Sequence, residues 1–537
     1  MMKKSKLFSL LALILAFMVF TTSCDIFKPK KEAVKWTVEK ENYNPDLELW
    51  VTDSLDRVRK NRPSNGTYTI ELCGAKGEYE SFQIVACTDS KKSIKLTGLT
   101  LSDFISEDGS VISSDYITIY REHYIKSTVS SPKSSSVIQE LTGEIPDALI
   151  PVVSPLNNEP LGTEARFYAF PYTLTKEACQ PFFIDIEIPK NAKAGLYTAT
   201  YEMQSDGGLQ GGEVTLRVWD ITLSETLSQG SFFLSRSAKS EQKAEEAAKH
   251  KMFSYAMNEA QEKQLTKRYG YNNANLGFWS GASLYNPIMK AAPSVDSVKK
   301  EIAKHNSNLN LFNYSADEIS GAPQLHGQIK EYAQALHKAG TKQLITMPPT
   351  EDLLDDGLGT GQAAVDIWVV MAKQYDSEIE LIKKAKEKGC EIWTYTCMVQ
   401  DSYAPKYLLD YPLLNHRIQP GFINYSLKSD GFLFWCIDNW TTVSDPWVSL
   451  DMTYNGDGIL FYPGDDVGLY NTFVPSLRAK AIRDGFEDYE LCAAIEKKGG
   501  KVGEYISKIA SDFSNWTQDK DVLLAERKNL GNTIIKK

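Results

Sequence analysis

The 537 residues carry a net charge of −10 with a pI of about 5.4, and 42% of them are hydrophobic and 11% aromatic. That length exceeds what one hydrophobic core spans and predicts two or three domains, and the apolar fraction excludes a mainly disordered chain. The acidic balance, with no basic patch beyond short Lys pairs, argues against a nucleic-acid partner.

Export signals come first. Lys3, Lys4 and Lys6 precede an apolar stretch at 7–20, the pattern of a signal peptide over residues 1–23 and too short for a membrane span. Thr21-Thr22-Ser23-Cys24 resembles a bacterial lipobox, with Thr21 where a Leu is usual. It implies cleavage before Cys24, a lipid on the Cys24 sulfur, and a protein held on a bacterial membrane facing the periplasm or the cell exterior. Ordinary secretion with Cys24 as a bystander is the alternative. Residues 24–44 are charged and aperiodic and read as a tether. Beyond Cys24, the cysteines at 73, 87, 179, 390, 397, 436 and 492 are odd in number and scattered, which predicts no disulfide framework. Cys87, Cys397 and Cys436 lie in apolar runs and read as small core residues. The 6 His stand singly, so neither metal nor cofactor is expected.

From 47 to 220 the chain alternates apolar and polar residues. Residues 67–73, 82–87, 182–188 and 213–219 are such runs, punctuated by Gly74, Gly77, Pro189, Gly195 and Gly207-Gly208. Short alternating strands with these turns predict a β-sandwich over residues 45–225. After Ser231 the rhythm becomes strand–helix alternation. Strand candidates are 232–234, 252–257, 276–279, 309–314, 343–347, 365–370, 391–398 and 432–437, with amphipathic stretches such as 377–388 between several. Eight candidates over about 250 residues fit a (β/α)8 TIM-like barrel at 230–475. Residues 476–537 then read as a helical segment packed on it. An open doubly wound sheet is the competitor, but the Gly-rich dinucleotide and phosphate loops that would favour it are missing. The expected fold class is therefore multidomain β plus α/β.

The run at 309–314 ends on adjacent acids, Asp317 and Glu318, and Leu325, Ile329, Tyr332, Ala333 and Leu336 then repeat at helical spacing up to Gly340. Carboxylates at the C-terminal end of a barrel strand sit where such folds keep their chemistry. Neighbours on an ideal strand point to opposite faces, so both acids serve one site only if the chain turns there. Ser320 and Gly321 offer such a turn. A solvated acidic βα loop is the competing reading.

Several motifs carry a resemblance. They are Gly77-Glu78-Tyr79-Glu80-Ser81-Phe82-Gln83, Ile145-Pro146-Asp147-Ala148-Leu149-Ile150-Pro151 and Ile188-Pro189 with Gly195-Leu196-Tyr197. Nearer the end come Gly458-Ile459-Leu460-Phe461-Tyr462-Pro463-Gly464, Leu477-Arg478 and the run 482–489. Together they resemble glycoside hydrolase family 123 and the related domain-of-unknown-function family 4091, across roughly residues 45–500. The resemblance implies a retaining β-N-acetylgalactosaminidase working by substrate assistance on a glycan with a 2-acetamido sugar. It implies that Glu318 is the general acid and later the base, and that Asp317 holds the acetamido N–H and balances the oxazolinium charge. The pKa of Glu318 is then expected to be raised by burial and by ionised Asp317. Ile319 departs from the family, which commonly has Pro there.

Further candidates are aromatic or amidic. Trp393 and Tyr395 share a strand face, the first able to floor a sugar pocket and the second to hold the acetamido oxygen. Trp435, Asp438, Asn439 and Trp440 stand at the end of the last strand candidate, where Asp or Asn could hold sugar hydroxyls. Core roles for the aromatics stand equally open. Tyr314 is expected to pack, Asn415-His416-Arg417 to form a polar loop, and Arg483 and Glu487 to pair at a surface or docking face. The leading function is an exo-acting hydrolase releasing N-acetylgalactosamine or a related 2-acetamido sugar. The alternatives are a non-catalytic glycan-binding lipoprotein of the same fold and a structural surface lipoprotein.

Overall fold

The computed structural model describes residues 35–534, except 141, 177, 238–239, 255–256 and 398–401; Cys24 and the signal segment lie outside them. Two sheets form first. One has the order β1 (Glu48–Asp53), β3 (Tyr79–Cys87), β10 (Cys179–Glu187), β7 (Ile117–Ser127), β8 (Gly143–Pro151), antiparallel throughout. The other runs β2 (Thr69–Lys76), β12 (Gly208–Thr222), β11 (Gly195–Ser205), β4 (Ile94–Leu101), β9 (Tyr172–Leu174), with the short β5 (Phe104–Ser106) beside β11 and β6 (Val111–Ile112) beside β5. Period-two alternation gives each sheet an apolar face, and the two faces share one core. Val51, Phe82 and Ile184 from the first meet Leu96, Tyr201 and Leu216 from the second.

The antiparallel register sets Cys87 opposite Cys179, and the two form a disulfide with Cα atoms 4.4 Å apart. This corrects the expectation of unpaired core cysteines. An odd count still permits one bridge, and only strand pairing brings together residues 92 positions apart.

Seven parallel strands make the second unit, in the order β13 (Gly230–Phe233), β19 (Gly431–Phe434), β18 (Glu391–Tyr395), β17 (Ile367–Met371), β16 (Lys342–Thr346), β15 (Asn310–Asp317), β14 (Asn273–Asn275). The two end strands are joined by a side chain. Asn273 accepts the Ser231 N–H at its Oδ1 and donates from Nδ2 to the Ser231 carbonyl, each at 2.9 Å. One amide thus does the work of a backbone pair, and the sheet is a nearly closed barrel.

Among the described residues the sheet has seven strands where eight were expected. Residues 252–257 form no strand among the described ones. Met252 and Phe253 are buried in the apolar layer outside β13, and the Phe253 carbonyl accepts from Phe233 N–H at 2.8 Å. A short apolar run reads alike as buried strand or buried loop. The candidate at 276–279 lies just beyond β14. Asp317 therefore ends the third barrel strand in chain order.

The helix Leu477–Lys497 is buried along most of its length and docks the barrel on the sheets. Arg478 reaches Asp147 at 2.9 Å, and the Tyr462 hydroxyl donates to the same carboxylate at 2.7 Å. Lys480 and Arg483 both meet Asp185, at 2.7 and 2.9 Å. The later helix Lys520–Asn532 adds Arg527, which grips Glu78, Glu80 and Asp488. Arg483 and Glu487 therefore make no surface pair: Arg483 is fully buried on Asp185, and Glu487 accepts the Tyr79 N–H at 3.0 Å. Most of the motifs behind the family resemblance, those at 77–83, 145–151, 458–464 and 477–489, supply residues to this docking node.

Candidate active site

The barrel interior is filled from strand residues two apart. Phe312 and Tyr314 of β15, Trp393 and Tyr395 of β18, and Leu433 of β19 share one cluster. Trp393 occupies the lower layer and is fully buried, with its Nε1 donating to Glu391 at 2.9 Å. Gly230 and Gly431 lie against its ring; a Cβ at either would stand 2.1 or 2.3 Å from it. Trp393 is therefore a core residue and cannot floor a sugar pocket. Tyr395, two residues nearer the mouth, reaches the site.

A β-bulge between Tyr314 and Ala316 breaks the alternation of β15. Without it, Tyr314 and Ala316 would face inward together and Asp317 outward. With it, Ala316 joins the outer apolar core and Asp317 turns inward, accepting the Tyr314 hydroxyl at 2.7 Å. Glu318 then takes a left-handed conformation, φ 50°, which few non-glycine residues adopt. The chain thus bends at Glu318 itself, just ahead of the expected turn at Ser320-Gly321, which the Ala322 N–H closes on the Ile319 carbonyl at 2.9 Å. Glu318 Oε1 accepts the Tyr395 hydroxyl at 2.7 Å. Bulge and left-handed residue together bring adjacent acids to one mouth.

Electrostatics marks Glu318. Burial raises the pKa of Glu318 above the usual glutamate range, the Tyr395 hydrogen bond pulls it back, and the Asp317 charge adds a smaller upward push. Burial, then the Asp317 charge, holds the Tyr314 hydroxyl far above its ordinary pKa, so it stays a donor. Tyr314 also shares a 2.7 Å hydrogen bond with Thr346 at the end of β16. Its ring packs as expected, and its hydroxyl adds a second role in orienting Asp317. A Tyr three residues before a βα carboxylate signals this only once the bulge is known.

The other predicted residues divide. Asp438 is buried and ties the ends of β13 and β19, accepting from Ser235 Oγ, Arg236 N–H and Ser237 N–H at 2.8–2.9 Å. Trp440 donates to the Phe461 carbonyl at 2.8 Å beneath the Lys243 ammonium. Both serve the fold. Trp435, partly exposed, donates to both oxygens of Asp457 at 3.1 Å, and burial pushes Asp457 up to about 6. Asn439 is buried with its side-chain oxygen unpartnered. Asn415-His416-Arg417 is no loop; it lies in the buried helix Leu413–Ile418, with Arg417 bound to Asp488 at 2.7 and 2.9 Å. Sequence reasoning missed Trp279, whose ring meets Tyr314 edge-on with centroids 5.4 Å apart. Gly277 and Gly281 on either side of it were the available sign of a loop.

Two family models match the chain: the glycoside hydrolase 123 N-terminal domain over residues 53–205 and the glycoside hydrolase 123 catalytic domain over 296–495. The chain belongs to glycoside hydrolase family 123. By that homology it is a glycoside hydrolase, and Asp317 and Glu318 fall inside the catalytic-domain match. A family 123 glycoside hydrolase from Clostridium perfringens, solved in a study of glycolipid glycan hydrolysis, matches with a TM-score of 0.61 at 15% identity, covering 91% of this chain and 98% of that one. At that identity the likeness is one of fold. A β-glucuronidase of Parabacteroides merdae, at 9% identity over 83% of this chain and 51% of its own, has a TM-score of 0.29, too low to carry an argument. No curated protein matches.

Proposed function

We propose that this family 123 chain is a retaining, exo-acting β-N-acetylhexosaminidase that removes N-acetylgalactosamine, or a related 2-acetamido sugar, from glycans. Glu318, its proton held by the raised pKa, protonates the glycosidic oxygen as the bond to the anomeric carbon breaks. Asp317, oriented by Tyr314, takes the acetamido N–H and aims the acetamido oxygen at that carbon. The substrate supplies its own nucleophile, and an oxazolinium forms beside the Asp317 charge. Glu318, now a carboxylate, removes a proton from water, which opens the ring with net retention.

The observation that carries this reading is the turn at Glu318, which gives two touching acids separate phenolic partners at one mouth. Family membership supports glycoside hydrolysis, and the Clostridium perfringens relative makes glycolipid glycans one class to test. The export reading, with Cys24 lipidated, draws support from the Cys87–Cys179 disulfide, a bond that persists in oxidising compartments.

The test is hydrolysis of chromogenic 2-acetamido glycosides of galactose and glucose by the chain starting after Cys24. Turnover with retention, lost in Glu318→Gln, is the expected result. Sugar binding without turnover would support the glycan-binding alternative instead. Fatty-acid labelling of cells should mark the protein and miss Cys24→Ser.

A further inference from the structure

Between β14 and the helix Val295–Ile302 the chain makes a built projection. Ser283 and Asn286 exchange backbone hydrogen bonds at 2.9 and 3.0 Å, and Lys290 N–H donates to the Ser280 carbonyl at 2.8 Å. Gly277 and Gly281, with φ 84° and 90°, make the bends, while buried Ala282 and Met289 anchor the segment. Four of its apolar side chains face water: Trp279 is 40% exposed, Leu284 56%, Tyr285 90% and Ile288 68%. Exposed apolar clusters of this kind mark interaction sites. This one is continuous with the acids. Asp317 N–H donates to the Ala282 carbonyl at 3.1 Å, and Trp279 covers the Tyr314 that orients Asp317.

The segment is also nearly uncharged. Over residues 276–293 the only Asp, Glu, Lys or Arg is Lys290, in a chain that is 24% charged overall. A surface reading anionic glycans would carry cations, and one reading hydroxyls would carry amides and acids. Four side chains form a footprint suited to one small ligand, far below the roughly 800 Å² per partner of a stable protein interface.

We propose that the segment from Trp279 to Ile288 binds an apolar portion of the aglycone, the part of the substrate on the leaving side of the bond that Glu318 protonates; this rests on the glycosidase reading above. Aliphatic Leu284 and Ile288 and the Tyr285 ring take the hydrocarbon, and Trp279 bridges from it to the sugar.

The test uses the full chain and alkyl 2-acetamido-β-glycosides from methyl to octyl, below micelle-forming concentrations. In the wild type, kcat/KM should rise about tenfold from methyl to octyl, since each methylene buried against the loop adds at most severalfold. In Tyr285→Ser/Ile288→Ser the octyl-to-methyl ratio should fall to near one, with Ile288→Ser alone in between. A ratio unchanged by the substitutions, or near one in the wild type, overturns the proposal. Calorimetric binding of octyl glycoside needs no turnover: octyl binding that the double variant loses, without hydrolysis, would reject the glycosidase reading and keep the loop's role. Sedimentation supplies a further arm, because a wild-type dimer dissolved by the same substitutions would assign the patch to a second copy and overturn the proposal.

Discussion

The Tyr395 hydroxyl donates to Glu318 Oε1 over 2.7 Å, joining the end of β18 to the residue that follows β15 across the barrel mouth. Tyr314 holds Asp317 at the same distance from within β15. Two adjacent acids thus have different phenolic partners, and it is burial, opposed by the Tyr395 hydrogen bond, that raises the pKa of Glu318.

Glu318→Gln should lower kcat by roughly 10²–10⁴-fold, the usual worth of general acid help. The loss should shrink with aryl leaving groups that need little protonation. Asp317→Asn should be comparably damaging, and replacing the substrate's acetamido group by hydroxyl should remove turnover. Equal hydrolysis of galactosides with and without that group would reject substrate assistance and call for a carboxylate nucleophile about 5 Å from Glu318.

The alkaline limb of the pH–rate profile should report Glu318. Its pKa is raised chiefly by burial, and the Tyr395 hydrogen bond lowers it by favouring the carboxylate. Tyr395→Phe removes the lowering contribution, so the limb should move to higher pH. A limb that moves down, or stays, would remove Glu318 as the titrating acid.

The left-handed backbone of Glu318 costs stability. Glu318→Gly and Glu318→Ala both lose the Tyr395 hydrogen bond, so their difference isolates the backbone. Glycine should be the more stable by about 1 kcal/mol in urea denaturation. The protonation sign can be checked as well. A carboxyl whose folded pKa is raised loses stability as pH climbs from its unfolded value through its folded one. The thermal midpoint of Glu318→Gln should therefore gain on the wild type from acid toward neutral pH.

Asn273→Ala should destabilise the protein by about 2–3 kcal/mol, because it leaves the buried Ser231 N–H and carbonyl without partners. Asn273→Asp keeps the acceptor and loses the donor, so chemical denaturation should place it no better than midway. A neutral Asn273→Ala would mean that the barrel closes without this amide.

Asp185→Ala should cost about 3–5 kcal/mol by stranding buried Lys480 and Arg483. Burial opposes ionisation of Asp185, yet Arg483 and Lys480 together hold its pKa well below the aspartate range. Its contribution is therefore complete above the unfolded pKa of about 3.9 and fades as pH falls through the folded value. Acid titration of the midpoint should be shallower in the variant.

Much of this was legible in the sequence. Alternation marked β3, β10 and β12, a strand candidate overlapped β15 up to Tyr314, and the acids at its end stood out because strand ends face a barrel's mouth. Those are local signals, carried by spacing along the chain. What the spacing could not carry was direction and partnership. Whether Asp317 faced in or out depended on a bulge at Tyr314–Ala316, set by pairing with β16 rather than by β15 alone. Trp393 looked as available as Tyr395 until the glycines of β13 and β19 closed over it. Arg483 read as a surface or docking charge paired with Glu487 because its partner, Asp185, lies 298 residues away on β10. Periodicity reports which residues are apolar; burial of a charge or a tryptophan is decided by what the rest of the chain places against it.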